Sequence, residues 1–276
     1  MLAHTARWAA AHRARESERV DRLFADPLAR ALAGDEGMAI LQHSEQSNPQ
    51  RDSTATYVAL RTRFCDDVAL HATNEGVRQV VVVAAGMDAR AFRLHWPEGT
   101  RLYELDQQEL LHLKEEILHR EQAQPRCQRV GVGVDLNDAW TGALEAAGFH
   151  IAEPSVWIVE GFLYYLEEPQ VGRLLDQIGE CAAAGSSLGA DLVSASFFTS
   201  PWTQMALEML AANGMPWRFG TDDPELLFAG HGWYPVVTTP GGEGANYGRW
   251  TFPVLPRERR ELPHSFLVRA ERASMA

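Results

Sequence analysis

The chain has 276 residues, is 46% hydrophobic, and carries 37 acidic against 25 basic side chains, a formal charge of -12. It is long and apolar enough to bury one substantial core, and its negative balance disfavours a nucleic-acid backbone or an anionic membrane as the main partner, which leaves a small molecule. Cys65, Cys127 and Cys181 are widely spaced with no C-x-x-C pair, so neither a disulfide framework nor a structural zinc site is indicated, and a reducing cytoplasm is the expected compartment.

In chain order, Arg7, Arg13 and Arg15 interrupt the N-terminus, so no signal-peptide core forms, and no later run approaches the roughly 20 apolar residues of a bilayer span. A soluble protein is expected. From Ala3 to about Leu32 the sequence is rich in Ala, Arg and Glu, a helical composition, with Asp26-Pro27 marking a break and a new helix start. Ser44 to Ser53 reads as polar and turn-like, and Thr56 to His71 as a helix carrying Arg61 and Arg63. Val80 to Val83 are four valines in a row, the pattern of a parallel strand buried on both faces, and Ala84, Ala85 and Gly86 form a turn that lets a ligand approach the backbone.

Thr100 to Gln107 is a second strand ending in Glu104 and Asp106. Five further strand-like runs follow: Arg129 to Asp135, Ser155 to Gly161, Ser187 to Val193, Trp233 to Thr239 and Ser265 to Arg272. Between them lie helical stripes at Gln107 to Arg120 and Pro169 to Ala183, so the order is β-α-β-α, the signature of a mostly parallel α/β sheet. Ser194 to Phe219 departs from that pattern with Phe197, Phe198, Trp202, Met205 and Trp217, and reads as a helical lid over a pocket. Gly241 to Gly244 reads as a short turn between the last two strands.

Three acids stand at successive strand ends: Asp106, Asp135 and Glu160. All should project onto the carboxyl edge of the sheet, where open α/β folds bind ligands, and an acid after strand two can hold both hydroxyls of a ribose. Asp135 and Leu136 suit an adenine, and Glu160 the amino-acid end or the sugar. Three acids imply a ligand with positive charge, while Arg61 could grip a carboxylate of the same ligand in a bidentate fork. A zwitterionic amino acid joined to adenosine meets both demands.

These motifs carry a resemblance. RLFADPLA (Arg22 to Ala29), YVALRTRFCDD (Tyr57 to Asp67), RQVVVVAAGMDARAFRLHWPEGT (Arg78 to Thr100), LYELDQ (Leu102 to Gln107), VDL (Val134 to Leu136) and VEGFLYYL (Val159 to Leu166) resemble the leucine carboxyl methyltransferase family, in particular its bacterial, natural-product branch. The resemblance implies a Rossmann-like class I methyltransferase fold: a seven-stranded, mostly parallel sheet with an antiparallel last strand, an N-terminal helical cap over residues 1–75, and a core over 76–276 with the lid at about 194–219, all in one domain. It further implies S-adenosyl-L-methionine as cofactor. Arg61 would meet the methionyl carboxylate, Gly86 would line the methionine, Asp106 would hold the ribose, Asp135 and Leu136 the adenine, and Glu160 the far side of the methionyl group or ribose. Ala84 stands where the family has the glycine that opens the turn.

Transfer from a sulfonium is an in-line displacement that needs alignment and dryness rather than a catalytic side chain, so no catalytic residue is assigned. A carboxylate acceptor, with a pKa of about 4, needs no base, whereas a phenol near 10 would want one. The loop Gly161 to Glu168 contains Phe162, Tyr164 and Tyr165 but no His or Lys, which favours a carboxylate, unless His231 or His264 folds over the site. Tyr164, Tyr165, Phe198 and Trp202 are the candidate substrate contacts. Hydroxyl methylation, a binding protein without methyl transfer, and a nicotinamide-dependent oxidoreductase are the alternatives; AAGMDARA lacks the second and third glycines that the last requires. The histidines form no H-E-x-x-H pair, and no metal is expected.

Overall fold

The computed structural model describes residues 2–47, 51–212 and 214–273. Three helices precede the first strand: α1 (Leu2–Ser17), α2 (Ala29–Ser47) and α3 (Arg51–Asn74). Of the stretch read as a turn from Ser44 to Ser53, residues 44–47 close α2 and 51–53 open α3, and 48–50 lie outside the described residues.

All seven strands expected from the sequence form: β1 (Gln79–Val83), β2 (Arg101–Asp106), β3 (Gln128–Gly133), β4 (Ser155–Val159), β5 (Ser187–Val193), β6 (Tyr234–Thr238) and β7 (Ser265–Glu271). Among the described residues they make one sheet in the order β3-β2-β1-β4-β5-β7-β6. Neighbours among β1 to β5 pair parallel, and β7 runs antiparallel to both β5 and β6. Chain order reverses direction between β1 and β4, so the loops leaving those two strands diverge and open a crevice at their carboxyl ends.

The four-valine strand shows why the sheet is buried twice. Val80 and Val82 face one way, into a cluster with Phe64 and Val68 of α3 and with Leu110 and Ile117 of α5 (Gln108–Arg120). Val81 and Val83 face the other way, toward Val171, Leu174 and Ile178 of a helix numbered α7 (Glu168–Cys181) below. Side chains alternate across a strand, so an uninterrupted apolar run is stable only where helices cover both faces. Short helices α4 (Arg90–Arg93) and α6 (Thr141–Ala146) fill the β1–β2 and β3–β4 connections, and Pro169 sits in the first turn of α7, as its missing N–H allows.

After β5 the chain makes a 3-10 turn (Ala195–Phe198), then α8 (Pro201–Ala212) and α9 (Pro224–Gly230). The β6–β7 connection is far more than a glycine turn. Its Tyr247 hydroxyl donates to Asp67 of α3 at 2.9 Å, and Arg249 pairs with Glu16 of α1 at 2.5 Å, so this loop ties the end of the sheet back to the N-terminal helices. No helix among the described residues is long and apolar enough to cross a membrane.

Candidate active site

A cleft of about 380 Å³ lies at the crevice, within the size range of small-molecule sites. Its lining includes Ala84, Gly86, Asp106, Asp135, Leu136, Glu160 and Arg61, so the residues singled out from separate strand ends do converge. Tyr164 and Tyr165 line it too. Phe198 and Trp202 do not; Trp202 is 62% exposed on α8. The part of the 194–219 segment that reaches the cleft is the stretch after α8, through Gly214, Met215, Pro216 and Arg218. Phe198 and Trp202 stay outside the lining because the chain returns to the sheet only after α8 ends.

The turn after β1 is built from left-handed backbone. Ala84 has φ 51° and Gly86 φ 49°. A Cβ on Gly86 would come within 3.0 Å of the Cβ of Ala6 in α1, so glycine is required there both for its φ and for the close passage of that helix. The Gly86 N–H donates to Asp106 Oδ2 and the Gln107 N–H to Oδ1, both at 2.7 Å. Asp106 thus fixes the turn of β1 to the end of β2. Burial pushes its carboxyl pKa up, against the pull of those two N–H donors.

Beneath the turn runs a chain of buried ion pairs. Arg61 directs Nε to Glu160 Oε1 at 3.1 Å and Nη1 to the Tyr164 hydroxyl at 2.9 Å and to Asp191 Oδ2 at 3.3 Å. Its expected bidentate grip on a ligand is thereby revised: two of its three nitrogens are committed within the protein, and Nη2 alone carries no hydrogen bond among the described residues. Nor is Arg61 paired with Asp66 or Asp67; Asp66 holds Arg90 and Arg93, and Asp67 takes Arg63. Glu160 Oε2 accepts from Arg90 Nη2 at 2.5 Å, and its Oε1 also accepts from Thr62 at 2.8 Å. Although burial works against its charge, Arg90 and Arg61 beside it hold the Glu160 carboxyl well below the usual glutamate range. Burial opposes the charge of Arg61 too, but Asp191, Tyr164 and Glu160 more than offset it and keep the guanidinium protonated. Glu160 therefore faces two arginines before it faces any ligand.

The outer parts of the cleft come from residues that carried no signal in the sequence. Trp8 and Arg13 reach it from α1. Arg13 pairs with Asp26 at 2.9 Å and donates to the Met87 carbonyl, which pins α1 onto the turn after β1. At the far end, Asp135 accepts from both the backbone N–H and the side-chain amide of Asn137 at 2.9 Å, and Gln170 of α7 donates to Asn137 at 2.6 Å. Neither His231 nor His264 lines the cleft: His231 meets Asp176 at 2.7 Å, and His264 packs beside Phe266.

An adenosine-bearing amino-acid cofactor suits this set. Asp106 keeps spare lone pairs for hydroxyl donors, Asp135 and Leu136 line the cleft edge, and Arg61 Nη2 has no hydrogen bond among the described residues.

Comparison with known proteins agrees. The family model described as leucine carboxyl methyltransferase matches residues 6–179. A protein of Streptomyces coelicolor named for S-adenosyl-L-methionine-dependent methyl transfer is 43% identical over 248 residues, 86% of this chain and 84% of its own. One of Streptomyces avermitilis with the same description is 40% identical over 272 residues, 94% of this chain and 92% of its own. The fold matches a crystal structure of a methyltransferase from Thermobifida fusca with a TM-score of 0.64 over 94% of this chain and 96% of that one, at 16% identity. An O-methyltransferase family protein from Burkholderia thailandensis matches with a TM-score of 0.53, over 85% of this chain and 64% of that one, at 13% identity. The chain belongs to the leucine carboxyl methyltransferase family and is an S-adenosylmethionine-dependent methyltransferase.

Proposed function

We propose that this protein methylates a carboxylate oxygen of a small molecule. When bound, S-adenosylmethionine supplies a methyl group whose departure leaves a neutral thioether, so the chain need only align the acceptor with it and exclude water. In this reading Arg61 Nη2 meets the methionyl carboxylate, Asp106 the ribose hydroxyls, and Asp135 and Leu136 the adenine. Gly86 and Ala84 let the methionine approach the backbone, and Glu160 acts by holding Arg61 and Arg90 in place. Helix α1 of the N-terminal cap and the stretch 214–218 close the cleft of a single domain.

The observation that carries the carboxylate reading is the state of the groups lining the cleft. Tyr164 is pushed far above the usual phenol range, first by burial, and its oxygen is taken by Arg61. Burial likewise pushes Tyr165 up. Glu160 is held ionised between two arginines and makes a weak proton acceptor. A group that arrives already ionised asks for none of these as a base, whereas a hydroxyl acceptor would. The assignment to secondary metabolism rests on the resemblance to the natural-product branch, and that to the cytoplasm on three free cysteines.

The test is the chemistry of the product. Incubation of the protein and methyl-labelled S-adenosylmethionine with a mixed small-molecule extract should yield label that mild alkali releases as methanol, the mark of an ester. Label that survives alkali would be an ether and would move the acceptor to a hydroxyl.

A further inference from the structure

Of the cations lining the cleft, three are locked. Arg13, Arg61 and Arg90 are buried and paired with Asp26, Glu160 and Asp66 or Asp88. Arg218 is different. It lines the same cleft, is half exposed, and among the described residues its one ion pair is to Glu167 at 3.1 Å, where both side chains stand in solvent. Exposed pairs of this kind contribute little, and Glu167 has separate work in the capping box that starts α7, so neither partner is stranded if Arg218 turns away. Its backbone is nevertheless held, because its N–H donates to the Tyr164 carbonyl at 2.6 Å.

Around Arg218 the wall is aromatic and apolar. Trp8, Phe162, Tyr164, Tyr165 and Met215 line the cleft, and Trp217, next to Arg218 in the chain but outside the lining, backs Tyr164 with ring centroids 4.1 Å apart and meets Tyr165 edge-on. A guanidinium able to exchange partners, set at the rim of an aromatic wall, has the chemistry to receive a planar hydrophobic acid: the carboxylate on the fork, the ring against the wall. We infer that Arg218 is the specificity-determining residue for the acceptor and that the acceptor is an aromatic carboxylate. This rests on the carboxyl reading above. It adds that one carboxylate oxygen is held by Arg218 while the other stays free for transfer.

The probe is 2-naphthoate, set against 2-naphthylmethanol, a neutral isostere, with each titrated calorimetrically into protein saturated with S-adenosylhomocysteine. The acid should bind at least about tenfold more tightly than the alcohol, as expected for a charge-assisted pair. Arg218→Gln should erase that preference, Arg218→Lys should restore part of it, and the affinity for S-adenosylhomocysteine should be the same in all three proteins. Equal binding of acid and alcohol, a preference that survives Arg218→Gln, or no binding of the acid would each overturn the inference. The two readings fail separately. An acid preference beside an alkali-stable product sinks carboxyl transfer, and with it the free carboxylate oxygen, and leaves Arg218 only as the residue that binds an acidic acceptor methylated at another oxygen. An ester product without the preference sinks the Arg218 assignment and leaves carboxyl transfer standing.

Discussion

Asp106 serves two ends of one site. It ties the turn after β1 to the end of β2 through two backbone N–H groups, and in the proposed reading it also accepts from the ribose hydroxyls. Replacing it by alanine strands those donors as well as the sugar hydroxyls, so Asp106→Ala should weaken S-adenosylmethionine binding by about 1.5–3 kcal/mol by titration calorimetry. Unchanged affinity would show that the ribose lies elsewhere. This aspartate was legible in the sequence because a strand-end acid needs only a correct reading of β2. Arg13 and Arg90 were not. Their importance depends on Asp26, which lies beyond the end of α1, and on Glu160, which lies far along the chain, and a buried ion pair is a property of two positions in space rather than of either residue's neighbours.

At the scale of elements, the turn after β1 shows how a departure from the family pattern is absorbed. The resemblance implies a glycine at the position of Ala84, yet Ala84 takes the left-handed backbone all the same, at φ 51°. An L-residue there costs roughly 1–2 kcal/mol, part of which glycine would give back through its greater freedom in the unfolded chain. Ala84→Gly should therefore leave stability unchanged or raise it by up to about 1 kcal/mol in urea unfolding. A clear loss would mean that the methyl group of Ala84 makes contacts that outweigh the strain. The strands were readable because alternation and valine runs are local signals that report burial directly. Composition marks Ser194 to Phe219 as one apolar and aromatic segment without saying which part turns inward; of its described residues Gly214, Met215, Pro216 and Arg218 line the cleft, because the chain returns to the sheet only after α8 ends.

Across the whole molecule, the N-terminal helices set a pH limit. His12 of α1 is buried against Trp8 at 4.4 Å between ring centroids, and burial, aided by the charges of Arg61 and Arg15, lowers its pKa from 6.5 to about 3. The unfolded chain then binds a proton below 6.5 that the folded chain refuses. The contribution is fully present above pH 6.5 and is lost as pH falls toward 3. Stability should accordingly decline between pH 7 and 5, with His12 contributing a slope of up to about 1.4 kcal/mol per pH unit. His12→Phe, which keeps a ring against Trp8, should flatten that decline in denaturant titrations at each pH. Parallel slopes in the two proteins would show that His12 takes up its proton while folded. Acids within the site act in both directions at lower pH, because Glu160 is shifted down whereas Asp106 and Asp191 are shifted up.

By itself the sequence determined the strands, their α/β order and the three acids at the strand ends, because hydrophobic periodicity and turn chemistry act between residues close along the chain. Tertiary structure alone decided that α1 crosses the turn after β1, that Arg61 spends two nitrogens on Glu160, Tyr164 and Asp191, and that Arg218 stands at the rim with a partner it can leave. Those outcomes depend on which distant charges are brought together and on how far water is excluded around them, and no spacing along the chain encodes either.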